Sequence, residues 1–252
     1  MQSMSSLPRF LMLCAALAAT FCAPAAHAYR PFEGTDASVA EPGVFELEFS
    51  PFGYLRSRSG NTLFGPAAVG NFGLAGNTEI VIEGRTSRQQ GGVPESYRAT
   101  LGDTALSVKH LFREGSLQEG TGLSLAAECG VLLPEYHGQD GTGAICTGIA
   151  SQRFDHAIFH FNAAVGRTRD HNTTHLLGVI VEGNPINDVR PVLEVFGENE
   201  HHVGHTRSAL VGVIWKQSEE MSFDLGVRRA RADGELLTEL RAGLTWSFAM
   251  HQ

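Results

Sequence analysis

The charged residues of this chain recur at the spacing of a strand, and that spacing decides what they can do. Glu46 and Glu48, Glu79 and Glu83, and Glu239 and Arg241 are separated by even intervals, which puts each pair on one face of a β-strand. Arg85, Lys109, Glu128, His160, Arg190, Glu194, Asp224 and Arg228 stand in segments with the same alternation. Together they form a set of both signs that faces one way. Such a set can line a narrow aqueous path, and its slight acidic excess would then favour cations weakly. It can equally pair across neighbouring strands and fill a small barrel as structure alone. Both uses remain open at this level.

Catalysis has little support. No Gly-x-Ser-x-Gly turn, no glycine-rich phosphate loop ahead of a helix and no Cys-x-x-Cys occurs, so the common nucleophile and phosphate signatures are missing. His160 could serve as a general base, but it has no recognisable nucleophile and reads as a packed polar residue. His201, His202 and His205, with Glu198 and Glu200 beside them, are donor types that suit zinc or copper. They fall in an expected exposed loop with no supporting shell visible around them, so the expectation is a solvated loop with no metal. No catalytic residue and no cofactor is assigned.

These side chains need strands to hold them. Phe45, Leu47 and Phe49 alternate with Glu46, Glu48 and Ser50; Ile80 and Ile82 with Glu79, Val81 and Glu83. Phe159, Phe161, Ala163 and Val165 alternate with His160, Asn162 and Ala164, and Phe223, Leu225 and Val227 with Asp224, Gly226 and Arg228. The clearest case closes the chain: Leu236, Leu240, Leu244, Trp246 and Phe248 fall on one face, and Glu235, Glu239, Arg241, Thr245 and Ser247 on the other. An apolar face ending in aromatics suits a strand with lipid outside, a wet interior and an aromatic girdle at the membrane edge. Hydrocarbon solvates no charge, so the charged face belongs to the lumen. Leu244, Trp246 and Phe248 are expected to act as the assembly signal read by the barrel-assembly machinery, although Ala249–Gln252 set the last aromatic back from the terminus.

The pattern predicts strands near 44–54, 65–75, 78–87, 98–113, 121–133, 143–154, 157–168, 174–182, 189–199, 206–217, 221–231 and 236–248. That makes about twelve, an even number as bacterial outer-membrane barrels require. Gly76-Asn77, Phe154–His156, Gly183–Asp188 and Gln217–Glu220 read as tight turns. Arg56–Leu63, Ser87–Ser96, Pro134–Gly143, Arg169–Thr173 and Glu198–His205 read as longer polar loops, with Glu114–Gly120 long for a turn. Short and long otherwise alternate, as periplasmic turns and extracellular loops would. The 29 glycines are spread through the segments, where they ease curvature and close packing.

Residues 1–28 read as a cleaved export signal: Arg9, an apolar run from Phe10 to Ala23, and Ala26-His27-Ala28 before Tyr29. Residues 29–252 read as a single barrel domain with no linker. Loss of the signal leaves 18 basic against 27 acidic residues, which argues against a nucleic-acid partner. Cys14 and Cys22 leave with the signal, so Cys129 and Cys146 remain in an oxidising compartment. They sit symmetrically about a loop, as a cross-strand bridge would. Their facing speaks against one, because Cys146 falls opposite in parity to Ile145 and Ile149. Both readings stand.

Three segments resemble the outer-membrane transporter-like family labelled "MetA-pathway of phenol degradation". They are Arg30-Pro-Phe-Glu-Gly-Thr-Asp-Ala-Ser-Val-Ala-Glu-Pro-Gly-Val-Phe-Glu-Leu-Glu48, Phe72-Gly-Leu-Ala-Gly-Asn-Thr-Glu-Ile-Val-Ile-Glu-Gly84 and Leu101-Gly-Asp-Thr-Ala-Leu-Ser-Val-Lys-His-Leu-Phe112. Leu244-Thr-Trp-Ser-Phe248 is similar to that family's closing strand. The resemblance implies an outer-membrane barrel transporting small, aromatic or hydrophobic compounds, and it supplies no catalytic residues.

The expectation is therefore an all-β protein, a closed antiparallel up-and-down transmembrane barrel in the cell outer membrane. Its partners are outer-membrane lipid, the assembly machinery and a small solute, and it acts as a passive channel. Three alternatives compete with it. A soluble periplasmic or secreted barrel or sandwich binding an apolar ligand would turn Phe45, Leu47 and Phe49 inward and the glutamates to water. A lipid-modifying enzyme would cluster His160 with a serine or an acid, and an adhesin would need longer loops.

Overall fold

A computed structural model of the protein describes residues 31–58, 60–90 and 99–250. The expected export signal, its cleavage before Tyr29, and Cys14 and Cys22 lie outside the described residues. Twelve strands follow in order: β1 Val44–Arg56, β2 Asn61–Leu74, β3 Thr78–Gln90, β4 Thr100–Arg113, β5 Ser124–Leu132, β6 Gly143–Arg153, β7 Ala157–Arg167, β8 Thr173–Gly183, β9 Val189–Glu200, β10 Gly204–Lys216, β11 Met221–Ala232 and β12 Glu235–Ala249. Each pairs antiparallel with its sequence neighbours, and β1 pairs with β12 to close the barrel. Among the described residues no helix is long and apolar enough to cross a membrane. The strands do the crossing.

Two-residue periodicity converts directly into the two faces of this sheet. Glu46, Glu48, Glu79, Glu194, Asp224 and Glu239 are buried, while Ile82, Leu106, Val108, Phe161, Leu177, Val211, Leu225 and Leu240 are exposed. A soluble barrel would show the reverse, so that alternative is overturned. An exposed apolar belt round the whole circumference is stable only against hydrocarbon.

The ends differ from expectation. The connection between β1 and β2 shrinks to 57–60, that between β9 and β10 to 201–203, and that between β11 and β12 to 233–234. The regular alternation of short turns with long loops is therefore not found. The strands continue as paired ladder through polar residues that read as loop. Polarity marks a loop only where the strand would otherwise be buried, and a barrel wall beyond the hydrocarbon is wetted. The long connection after β4 folds into a 3-10 turn over Ser116–Gln118 whose Leu117 is buried.

Cys129 and Cys146 are register partners and form a disulfide on the outer wall. The objection from facing fails because Ile145 and Ile149 point inward. Ile149 packs with Leu111, Ala126 and Ala37, and Val39 borders this cluster. The barrel thus keeps an apolar patch inside, and it receives residues that precede β1.

Those residues pass close to Gly73 of β2. A Cβ there would lie 1.9 Å from the Glu41 carbonyl oxygen and 2.5 Å from that of Ala40, so only glycine lets the two backbones approach. Gly73→Ala is expected to destabilise the folded chain by about 2 kcal/mol through overpacking, read as a lower melting temperature of the heat-modifiable band in detergent. An unchanged melting temperature would contradict this packing.

Candidate functional site

The lumen is not empty. Residues 31–43 enter it and spiral along the wall from β3 to β12, meeting the strands in reverse chain order. The Ala40 amide donates to Glu79 Oε2 at 2.6 Å, and the Ala37 amide to Ser151 Oγ at 3.0 Å. Thr35 and Asn162 exchange two hydrogen bonds, at 3.0 and 2.9 Å. The amides of Glu33 and Gly34 converge on the Glu194 carboxylate at 2.8–3.1 Å, and Arg241 Nη1 donates to the Pro31 carbonyl at 2.9 Å. From below, Gln118 Nε2 of the 3-10 turn donates to the Ala37 carbonyl at 3.1 Å. An irregular segment inside a barrel must have its backbone groups satisfied. Here polar side chains projecting from five strands, and one from the 3-10 turn, do so.

Most of the sequence-assigned lumen residues gather around this segment. Arg228, Glu239 and Arg241 form a mid-barrel network in which Arg228 Nε donates to Glu239 Oε2 at 2.7 Å, and Arg241 bonds both Glu239 and Glu33. Lys109, almost completely buried, lies 3.4 Å from Glu79 and 3.9 Å from Asp36, with Glu128 its register partner on β5. Glu46 accepts from Ser247 at 2.9 Å and Glu48 from Asn71 at 3.1 Å. Asp224 is buried on the inner face of β11. Glu83 also points inward, yet it is exposed to the interior space rather than packed. With Arg85, which pairs with Asp103 at 2.5 Å and lies over the Phe64 ring at 4.8 Å, it lines a cavity of about 150 Å³ above Pro31–Glu33.

His160 and Arg190 fall in a separate cluster at the end of the barrel where β1 begins and β12 ends. His160 Nδ1 is 2.9 Å from Ser151 Oγ and its Nε2 is 3.4 Å from Glu182, which also pairs with Arg190. Serine, histidine and acid in this order resemble a nucleophile with its base and orienting group. Ser151, however, is fully buried and its oxygen already accepts the Ala37 amide. No substrate carbonyl can approach it. The cluster anchors the segment to the wall.

The structure does not bring the histidine-rich run into a metal site. Glu198 and Glu200 point into the barrel, where Thr174, Thr168 and Asn172 donate to them. His205 is exposed on the outer face of β10, while His201 and His202 stack edge to face in the turn. Among the described residues no group of three or more metal-donor side chains converges.

Sequence reasoning missed Glu33, Thr35, Asp36, Ser151, Asn162 and Glu182. The available signal was Glu33 and Asp36 in a stretch without strand alternation, ahead of a strand whose inner face is itself acidic. Leu244, Trp246 and Phe248 face outward on β12, opposite Phe49, Leu47 and Phe45 of β1.

A closed sheet with an apolar outer wall and a charged interior defines a membrane-spanning β-barrel. No protein-family model and no curated protein matches the sequence, so the family resemblance rests on its four motifs. Solved structures match the fold. An outer membrane channel from Pseudomonas putida F1 superposes with a TM-score of 0.60 at 9% identity, over 86% of this chain and all of the other. The KdgM porin superposes with a TM-score of 0.53 at 12% identity, over 81% of this chain and 99% of the other. At such identities the likeness is one of architecture.

Two predictions test how the segment is held. Lys109→Met keeps the volume but leaves the Asp36 and Glu79 carboxylates facing each other. Removing one member of a buried ionic cluster costs about 3 kcal/mol or more, so the amides of residues 33–40 should lose hydrogen-exchange protection while the strands keep theirs. The second concerns pH. Burial alone would raise the Glu33 pKa, but the guanidinium groups of Arg241 and Arg228 outweigh it and hold it at about 2, below the usual carboxylate range. Glu194 and Glu239 are the carboxylates in the same network. A lowered carboxylate pKa makes its stabilisation complete above about pH 4.5 and lost as the pH falls toward 2. Protection of the Thr35 amide, which donates to Asn162 and not to a carboxylate, should therefore decline as the pH falls below 5. Protection that persists undiminished to pH 2 would contradict the assignment.

Proposed function

We propose that the protein is an outer-membrane channel for small molecules whose path is narrowed by its own N-terminal segment. The observation that carries this reading is the closed barrel whose charged interior is crossed by residues 31–43. The end where β1 begins and β12 ends lies in the periplasm, and the opposite end faces out of the cell. Solute passes by diffusion along the side of the lumen that the segment leaves free, past Glu83, Arg85 and Asp103, with no chemical step. Glu46, Glu48, Glu79, Glu128, Asp224 and the other interior charges shape this path by holding the wall and the segment in place. Leu244, Trp246 and Phe248 serve the assembly machinery, and the chain is exported by its first 28 residues.

The solute class follows from the lining. Charges of both signs beside two aromatic rings, Phe32 and Phe64, suit small molecules that carry a polar or ionised group. The family resemblance points to aromatic or hydrophobic compounds, and a small aromatic with a polar substituent satisfies both. Cation preference should be weaker than the acidic count suggests, because amides of the segment already occupy Glu79 and Glu194.

Planar-bilayer recording tests the proposal. The full chain should conduct weakly, and deletion of residues 31–40 should raise the conductance several-fold while the barrel remains heat-modifiable. No conductance from either form, at any voltage, would overturn the channel reading.

A further inference from the structure

The two rims of the outer wall differ in chemistry. At the rim where β1 begins and β12 ends, aromatic rings gather: Phe45 with Phe72, Trp246 with Phe248, Trp215 with Phe223, and Phe154 with Phe159. At the opposite end arginines take their place. Arg207 of β10 and Arg231 of β11 are direct register partners, and Arg229 lies two residues further along β11, opposite Ala209. All three are exposed and alternate with buried inward residues, Ser208, Leu210 and Ala230. They therefore stand on the outer face, directly past the apolar stretch Val211, Val227 and Leu225.

Like charges directly opposite on adjacent strands repel, and Cα atoms so paired are about 5 Å apart. The same-face register neighbours of the cluster are Gly197, Ala209, Leu236 and Thr238, and none is acidic. Among the described residues no carboxylate forms an ion pair with Arg207, Arg229 or Arg231. A chain with 27 acidic and 19 basic residues thus sends many of its acids into the lumen and leaves a basic patch where its outer wall meets the membrane surface.

The patch opens onto a trough. The register row from Arg231 and Arg207 continues through Gly197, Leu177, Ala163 and Gly148. Three of these four are small, and the outer wall is hollowed here into a shallow, mostly apolar depression of about 840 Å³ whose lining includes Arg207. Along the row the residues sit progressively deeper: Gly197 is three residues from the end of β9 at that rim, Leu177 four from that of β8, and Gly148 five from that of β6.

We propose that this surface binds a phosphorylated glycolipid of the outer leaflet, with its phosphate on Arg207, Arg229 and Arg231 and an acyl chain in the trough. Guanidinium groups match phosphate in bidentate geometry, and basic clusters beside a membrane span recognise anionic headgroups. A bound phosphate also relieves the Arg207–Arg231 repulsion; Asp233, two residues beyond Arg231, accepts the His205 amide instead. The inference rests on the orientation in the channel reading, which puts this rim in the outer leaflet.

The test titrates the full detergent-solubilised chain with a lipid A-type bisphosphorylated glycolipid, its dephosphorylated counterpart and inorganic phosphate. The wild type should bind the bisphosphorylated form at least tenfold more tightly than the dephosphorylated one. The triple variant R207S/R229S/R231S should lose at least tenfold in affinity. Gly148→Leu with Ala163→Leu fills the trough without touching the arginines, and it should also weaken binding; a Cβ at Gly148 meets only the Ala163 carbonyl, at 3.8 Å. Equal binding by the triple variant, equal binding of the dephosphorylated lipid, or displacement by equimolar inorganic phosphate would each overturn the proposal. If the triple variant lacks the heat-modifiable band, R231Q is judged by the same criterion. A maleimide label on Val203→Cys in intact cells separates the two readings. Labelling without lipid binding sinks the lipid site alone, whereas absence of labelling sinks the orientation on which it rests.

Discussion

A charged side chain cannot face hydrocarbon without a large cost in free energy, and nearly every feature of this barrel descends from that constraint. It sends Glu46, Glu48, Glu79, Lys109, Glu194, Asp224, Glu239 and Arg241 inward. It leaves Ile82, Val108, Leu177 and Val211 to cover the outside. With the chain alternating every second residue, one choice of facing fixes the whole wall, because a slip of one position would exchange the two sets everywhere. Closure by the β1–β12 ladder then satisfies the last open edge.

Gathering so much charge inside a narrow space creates a second problem, and the N-terminal segment answers much of it. Carboxylates outnumber cations in the lumen, yet two of them, Glu79 and Glu194, accept backbone amides of residues 33–40. Lys109 sits between an acid of the wall and an acid of the segment, Glu79 and Asp36. Arg228 and Arg241 likewise reach both Glu239 of the wall and Glu33 of the segment. Wall and segment are thus one electrostatic unit. A buried network with this many partners is costly to break at any single member, so the segment behaves as part of the folded lumen rather than as a tail resting in it.

The wall also carries information about its surroundings. Rings collect at the rim where β1 begins and β12 ends, and arginines at the other. An amphipathic ring suits a boundary that is apolar on one side and wet on the other. A guanidinium suits a boundary rich in phosphate. The barrel is therefore polar along its axis as well as across its wall, and the two rims need not meet the same lipid.

Much of the fold was legible in the chain because strand alternation is a local property. Phe45-Glu46-Leu47-Glu48 and Leu244-Thr245-Trp246-Ser247-Phe248 each declare two faces without reference to any other residue, and only the apolar one can meet hydrocarbon. Twelve strands and their inward charges follow from that repeated signal. The strand ends were less legible, since Asn61, His205 and Glu235 carry loop-like polarity yet sit in wall that water wets. Three things belonged to tertiary structure alone. Cys129 and Cys146 meet because their strands pair in one particular register, which the misread facing of Ile145 and Ile149 concealed. Ser151, His160 and Glu182 converge from three strands. Residues 31–43 have no periodicity of their own, and they occupy the lumen only because strands brought together by closure offer acceptors and donors at the right heights. Alternation is written between neighbours in the chain; the contents of the lumen depend on residues up to about two hundred positions apart, Pro31 and Arg241 among them, which become neighbours only when the sheet closes.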